Sequence, residues 1–206
     1  MDALFDRVIE RARLIARGAA RGGGALLLAG AVIVSIDVLA RKFLNLSLGG
    51  ADELAGYAFA IGTAWSFAFV VLERGNVRVD ALYIHLPATL AAALDLLALL
   101  ALLAFISVVA RYGWDLMAGS FDRGARSNSA LAVPLWIPQA LWWLGYAIFT
   151  LIVMLLIVRV AHALWRRDFT AVARLAGARS TAEEAQNEIE NAQAAAGLAD
   201  AAGRAR

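Results

Sequence analysis

Residues 54–72 read LAGYAFAIGTAWSFAFVVL, an apolar segment without a charged side chain that lies between Glu53 and Glu73. A helix needs about 20 mostly apolar residues to cross the hydrocarbon core of a bilayer, which is about 30 Å thick. This segment is therefore predicted to be a membrane-spanning helix. Three further segments have the same character, at about residues 22–44, 88–110 and 134–158. We therefore expect an all-α integral membrane protein built as a four-helix unit.

The composition of the whole chain agrees with a membrane protein. Of its 206 residues, 62% are hydrophobic and 17% are charged, whereas soluble proteins have about 45–50% and about 25%. The chain has no cysteine and two histidines, which excludes disulfide frameworks and thiolate metal sites and leaves too few ligands for a zinc cage. The basic residues flank apolar segments and form no run with aromatic residues, so nucleic-acid binding is not expected. No cofactor or metal is expected.

The distribution of Lys and Arg predicts the orientation in the membrane. The N-terminal arm, the loop between the second and third spans, and the C-terminal flank together carry 12 of these residues, whereas the other two loops carry five. Cytoplasmic segments of membrane proteins have an excess of Lys and Arg. Both termini are therefore predicted to be cytoplasmic.

The chain divides into three parts by composition. Residues 1–21 carry spread arginines and no small-residue cleavage site, which argues against a cleavable signal peptide. Leu4, Val8, Arg11 and Ile15 fall near one helical face, so we expect an amphipathic helix that lies along the membrane surface in contact with lipid, with a soluble helical extension as the alternative. Residues 22–165 form the four-span domain. Residues 166–206, rich in Ala and Glu at their end, are predicted to be a cytoplasmic tail that is a weak helix or disordered.

Several polar residues in or beside the spans are candidates for function. Ionisable groups inside a bilayer are costly unless they are paired or reach water. Asp37 and Arg41 lie four residues apart, which allows an ion pair within one helix. Such a pair either eases burial or, extended by Asn45, forms a polar face that meets a partner protein. Glu53 precedes the second span, where a carboxylate complements the positive end of the helix dipole.

The second loop and the third span supply further candidates. Residues 73–80, ERGNVRVD, alternate in charge and contain turn-forming residues, a pattern that suggests docking more than a solvated hairpin. Asp95 lies about two turns inside the third span, where a structural pairing with a nearby arginine is expected. Asp37 and Asp95 fall near opposite membrane faces by the predicted topology, so they cannot form an aspartyl dyad. No catalytic set of residues remains, and an enzyme is not expected.

The sequence contains an ordered series of motifs. They are SIDVLARKFLN (residues 35–45), GADEL (50–54), ERGNVRVD (73–80), LP (86–87), ALDLL (93–97) and ALAVPLW (130–136). At these spacings the series resembles the small, DctQ-like membrane subunit of tripartite ATP-independent periplasmic (TRAP) transporters. The resemblance covers roughly residues 20–165, which is nearly all of the predicted membrane domain.

The resemblance implies a function and partners. TRAP systems are secondary transporters of the bacterial inner membrane, in which a periplasmic binding protein delivers an organic acid to a large multi-span subunit driven by a sodium gradient. The small subunit of the family binds neither substrate nor ion. It forms a heterodimer with the large subunit and enlarges the static scaffold against which the transport domain moves.

The resemblance also implies residues at the partner interface. Those on the outer side are Asp37, Arg41, Asn45 and Glu53, and those on the cytoplasmic side are Arg74, Gly75, Asn76, Arg78 and Asp80. The family often has histidine at the position of Asn76. Four hydrophobic helices alone also fit the small membrane subunit of another tripartite carboxylate transporter or a free-standing membrane scaffold, and these alternatives stay open at the level of sequence.

Overall fold

The computed structural model describes residues 2–75 and 86–177, together with residues 189, 192 and 193, and it describes side chains from Arg7 onward. Within these ranges the elements in chain order are α1 (Asp2–Leu44), α2 (Ala51–Leu72), α3 (Ala88–Asp122), α4 (Trp136–Trp165) and α5 (Phe169–Ala176). The described residues contain no strand, only an isolated bridge between Arg126 and Pro134. The predicted all-α class is confirmed.

Helices α1 to α4 are each long and apolar enough to cross a membrane. This confirms the prediction of four candidate spans from the gaps between charged residues. With 43 and 35 residues, α1 and α3 are about 65 Å and about 52 Å long at 1.5 Å per residue. Both exceed a hydrocarbon core of about 30 Å, so both helices tilt in the bilayer or extend beyond it.

Helix α1 continues through the boundary at residues 21 and 22, where we expected the arm to pass into the first span. The chain has three consecutive glycines there, Gly22, Gly23 and Gly24, yet the helix does not break. A Cβ atom added at Gly23 would lie 2.6 Å from the carbonyl oxygen of Gly62 in α2. Gly23 thus permits close contact between two helix backbones, as small residues commonly do in membranes. The predicted location of the arm along the membrane surface stays a prediction.

A seam with a seven-residue period runs along α1. Its members, all buried, are Ile9, Ala16, Gly23, Gly30 and Asp37. A repeat of seven residues keeps one side of a helix against a neighbouring helix over a long distance. At Gly30 an added Cβ would lie 3.3 Å from the Cα atom of Ala55. The arm therefore packs along the same seam as the span, whereas Val8 and Ile15, part of the apolar face expected for the arm, are exposed.

Tryptophan side chains join α4 to its two neighbours. The indole N–H of Trp65 in α2 donates to the carbonyl oxygen of Leu141, 2.9 Å away. The indole N–H of Trp143 donates to the carbonyl oxygen of Ala110 in α3, 2.8 Å away. Buried indole groups need such a hydrogen-bond partner. These contacts hold α2, α3 and α4 side by side.

Two helix boundaries differ from the expected ones for physical reasons. The third helix continues to Asp122 instead of ending near residue 110. A charged residue ends an apolar segment of sequence, but it does not end a helix. Arg111 and Asp115, which lie beyond the apolar segment, form an ion pair on the surface of the helix. The fourth helix begins at Trp136, and Pro134 lies in the preceding loop. Pro138 lies in the first turn of α4, where its missing N–H costs no intrahelical hydrogen bond.

The loops lie at two ends of the bundle. The first-loop end holds residues 45–50 and 123–135, and the second-loop end holds residues 73–75 and α5. The hydrophobic core of α2, α3 and α4 extends to the second-loop end, where α5 closes it with Val172 and Ala176. Thus the predicted tail begins with an ordered helix. Beyond Gly177, all but three of its residues lie outside the described part of the chain.

Candidate functional site

The carboxylate of Asp37 organises the loop that follows α1. Asp37 is only 1% exposed, and its Oδ1 atom accepts a hydrogen bond from the backbone N–H of Leu48 at 2.7 Å and from the hydroxyl of Ser47 at 3.4 Å. Its Oδ2 atom accepts from the guanidinium of Arg41, which is half exposed. A buried carboxylate is tolerated when paired and hydrogen-bonded in this way. All of these partners belong to the chain itself.

Asn45 has a conformational role at the end of α1. Its φ angle of 50° lies in the left-handed region, and the N–H of Leu46 donates to the carbonyl oxygen of Ala40 at 3.3 Å. This geometry is a common way to end a helix, and asparagine is one of the few residues other than glycine that adopts it readily. The side chain of Asn45 remains exposed.

Glu53 connects α2 to the loop between α3 and α4. Its Oε1 atom accepts a hydrogen bond from the hydroxyl of Tyr57, and Ser127 and Ser129 of the loop between α3 and α4 lie near the same carboxylate. Ser129 also accepts from the N–H of Leu131 at 3.2 Å. Glu53 thus lies where the start of α2 meets a loop that is distant in sequence, in addition to complementing the helix dipole.

The two loops at the first-loop end are in direct contact. A Cβ atom added at Gly50 would lie 2.4 Å from Cδ1 of Leu131, and one added at Gly49, whose φ is +66°, would lie 3.3 Å from the Cβ of Ala130. The positive φ angle at Gly49 favours glycine, and a side chain at Gly50 would require Leu131 to move. The GADEL and ALAVPLW motifs are therefore parts of one contact region.

The structure separates the four candidates on this side into two kinds. The carboxylates of Asp37 and Glu53 accept hydrogen bonds from other groups of the chain, whereas Arg41 and Asn45 are exposed. Ser127 and Ser129 were not predicted. Their signal was the sequence SNS at residues 127–129, because Ser and Asn commonly hydrogen-bond to nearby backbone in loops.

Arg74 and Gly75 lie just past the end of α2 at the second-loop end. Arg74 has a φ angle of 52°, which is unusual for a residue with a side chain. Its guanidinium donates to the carbonyl oxygen of Ala173 in α5 at 3.2 Å, and the neighbouring Glu73 pairs with Arg17 of α1 at 3.5 Å. This part of the motif joins three helices. Its other predicted residues, Asn76, Arg78 and Asp80, lie outside the described residues.

Asp95 lies in the interior of the bundle. It is 1% exposed, and it interacts with another group of the protein. That burial is compatible with the expected structural pairing. In the described part of the chain no three His, Asp or Glu side chains come together as a metal site would require.

Asp168 caps the N-terminus of α5. Its Oδ1 atom accepts from the N–H of Ala171 at 2.9 Å and from the hydroxyl of Thr170 at 2.7 Å. These hydrogen bonds, the backbone one first, lower the pKa of Asp168 below its usual value. The ionised cap therefore stabilises the folded chain above the unfolded-state pKa, about 3.9, and this contribution is lost as the pH falls through the lower folded-state pKa.

This cap gives a pH prediction. Asp168→Ala is expected to lower the melting temperature at pH 6, and the difference from wild type should shrink as the pH is lowered toward 3. Asp168→Asn is the control, because an amide oxygen still caps the helix but does not titrate. Thermal unfolding in detergent at several pH values measures both. A difference between wild type and Asp168→Ala that stays constant over this range would contradict the assignment.

Four long apolar helices define a multi-pass membrane protein. Comparison with family models assigns residues 30–163, more than half of the chain, to "Tripartite ATP-independent periplasmic transporters, DctQ component". The chain belongs to this family, and it is a small membrane subunit of a TRAP transporter. Members of this family are components of transporters, and the family is not an enzyme family. Searches of curated proteins and of solved structures found no match.

Proposed function

We propose that the chain is the scaffold subunit of a TRAP transporter in a bacterial inner membrane. It packs beside a large multi-span subunit that takes up an organic acid with sodium, and a periplasmic binding protein delivers that acid. Both termini face the cytoplasm. The observation that carries the proposal is the family match over residues 30–163, which includes the end of α1, all of α2 and α3, and most of α4.

The geometry of Asp37 and Glu53 supports a structural role. Both carboxylates accept hydrogen bonds from groups of this chain, Asp37 from the loop that follows α1 and Glu53 from Tyr57 in α2. A cavity of about 200 Å³ between α2, α3 and α4 is lined almost wholly by apolar atoms. An organic anion requires cationic or N–H donors, which an apolar lining does not provide.

Reconstitution tests the proposal. The chain, the large subunit of the same transporter and its binding protein are placed in proteoliposomes, and uptake of the organic acid is measured with an inward sodium gradient. We expect uptake with all three proteins, little uptake without this chain, and no uptake by this chain alone. Equal uptake without the chain, or uptake by the chain alone, would overturn the proposal. Replacement of sodium by potassium tests the coupling ion separately.

Arg41 provides a more specific prediction on assembly. Its side chain is half exposed and lies within the family motif, whereas Arg123 is an exposed residue at the end of α3. Arg41→Ala is therefore expected to lower the yield of complex with the large subunit by several fold, and Arg123→Ala to leave it unchanged. Co-purification in mild detergent measures both, with the melting temperature of the isolated chain as a check on folding. Equal yields would show that Arg41 is not an interface residue.

A further inference from the structure

The four spans follow one another sideways as a row. Helix α1 packs against α2, α2 against α4, and α4 against α3, so α1 and α3 form the two edges of the row. Contacts between neighbouring helices show which residues lie at the same height. Gly62, in the middle of the apolar segment of α2 (residues 54–72), lies opposite Gly23 of α1. The middle of α2 is therefore level with the beginning of the charge-free segment of α1, residues 22–36.

The apolar segment at the other edge of the row is displaced in the opposite direction. A Cβ atom added at Gly145 of α4 would lie 2.9 Å from the carbonyl carbon of Ala64 in α2. On the next interface the indole N–H of Trp143 in α4 donates to the carbonyl oxygen of Ala110 in α3. Ala110 is the last residue of the charge-free segment of α3, residues 96–110. The middle of α2 is thus level with the first-loop end of the α3 segment, but with the second-loop end of the α1 segment.

An upright row would leave two arginines inside the bilayer. Arg21 adjoins the start of the charge-free segment of α1, and Arg111 adjoins the end of that of α3, so both lie level with the middle of α2. Both side chains are exposed, that of Arg111 by 67%. If the helices were parallel to the bilayer normal, both residues would lie near the centre of the hydrocarbon core, where an exposed charge is costly. An inclined row removes this conflict.

The displacement between the two edges gives the angle of inclination. By the contacts above, the midpoints of the charge-free segments of α1 and α3 differ in height by about 13 residues, or about 20 Å at 1.5 Å per residue. In a straight row the two edges are about 27 Å apart, for three interhelical distances of about 9 Å. A bilayer midplane that passes through both midpoints therefore requires the helices to tilt by about 35–40°, which is at the upper end of the range for membrane helices.

We infer that the chain crosses the bilayer as an inclined row, with its helices about 35–40° from the bilayer normal and the tilt in the plane of the row. At this angle a helix needs about 25 residues to cross a core of about 30 Å, and the long helices α1 and α3 provide them. The guanidinium groups of Arg21 and Arg111 then reach opposite surfaces of the hydrocarbon core, because long side chains extend toward water. The proposed scaffold presents helices at this angle to its partner, but the inclination does not depend on the proposed function.

Spin labels on the chain alone in lipid vesicles test the inference. The chain has no cysteine, so Leu28→Cys, Phe105→Cys and Leu116→Cys each carry one label, at a position that is more than half exposed. Collision with dissolved oxygen and with a water-soluble nickel complex measures the depth of each label. We expect the labels at positions 28 and 105 to lie near the bilayer centre and the label at position 116 to lie about 10–15 Å nearer the surface. An upright row places all three labels at about the same depth, and that result would overturn the inference.

The angle itself is measured on the same chain in oriented bilayers. The polarisation of the infrared amide I band gives the mean inclination of the helices to the bilayer normal. We expect a mean of about 35–40°, whereas about 20° is the average for membrane helices. A mean at or below that average would contradict the inclined row. Both measurements use the chain without the large subunit, so their outcome is independent of transport.

Discussion

Replacement of Gly23 by alanine is expected to destabilise the folded chain by about 1–3 kcal/mol, the usual cost of adding an atom to a well-packed contact. The new Cβ would lie 2.6 Å from the carbonyl oxygen and 3.0 Å from the Cα atom of Gly62. Both are backbone atoms, which cannot move aside as the end of a flexible side chain can. The α1 and α2 helices must therefore separate along the seam, which weakens its other contacts as well.

Gly24 is a matched control for this experiment. It is the next residue in the same helix, and an added Cβ there would meet nothing within 4 Å. Gly24→Ala is expected to be neutral or to stabilise α1, because alanine has a higher helix propensity than glycine by about 1 kcal/mol. Thermal unfolding of both variants in the same detergent measures the difference. Equal melting temperatures would mean that the backbones at Gly23 and Gly62 are not in close contact.

The seam explains what could be predicted of α1 from its sequence. Its span was visible because residues 22–36 carry no charge. The continuity of α1 through this region could not be predicted, because helix propensity alone indicates a break at Gly22, Gly23 and Gly24. In a membrane the exposed side of a helix is as apolar as its buried side, so hydrophobic periodicity does not mark the packing face. The small residues at positions 16, 23 and 30 mark it instead.

The candidate residues show a similar limit. The motifs around Asp37 and Glu53 could be located from the sequence, and so could the spacing of Asp37 from Arg41. The neighbours of each carboxylate could not be predicted, because Ser129 lies far from Glu53 in sequence and every residue except proline has a backbone N–H like that of Leu48. The SIDVLARKFLN motif therefore contains Asp37, which shapes the chain's own loop, as well as residues such as Arg41 that are exposed.

The largest effect at the first-loop end is expected from Asp37→Ala. Asp37 accepts hydrogen bonds from the N–H of Leu48 and the hydroxyl of Ser47 and pairs with Arg41. Without the carboxylate the backbone N–H loses its acceptor, and the loop at residues 45–50 loses the group that connects it to α1. The variant is expected to melt several degrees lower and to assemble poorly with the large subunit. Asp37→Asn retains an acceptor oxygen and should lie between the variant and the wild type.

The pair Arg111 and Asp115 supplies the control. It has the same spacing of four residues on a helix, but both side chains are about half exposed or more, at 67% and 48%. Exposed pairs contribute little to stability because water and salt screen them. Asp115→Ala should therefore leave the melting temperature nearly unchanged, and raising the salt concentration should abolish any remaining effect while preserving that of Asp37→Ala. If both variants instead lost the same stability, the contribution of Asp37 would be that of an ordinary surface ion pair, and its position in the family motif would need an explanation other than loop positioning.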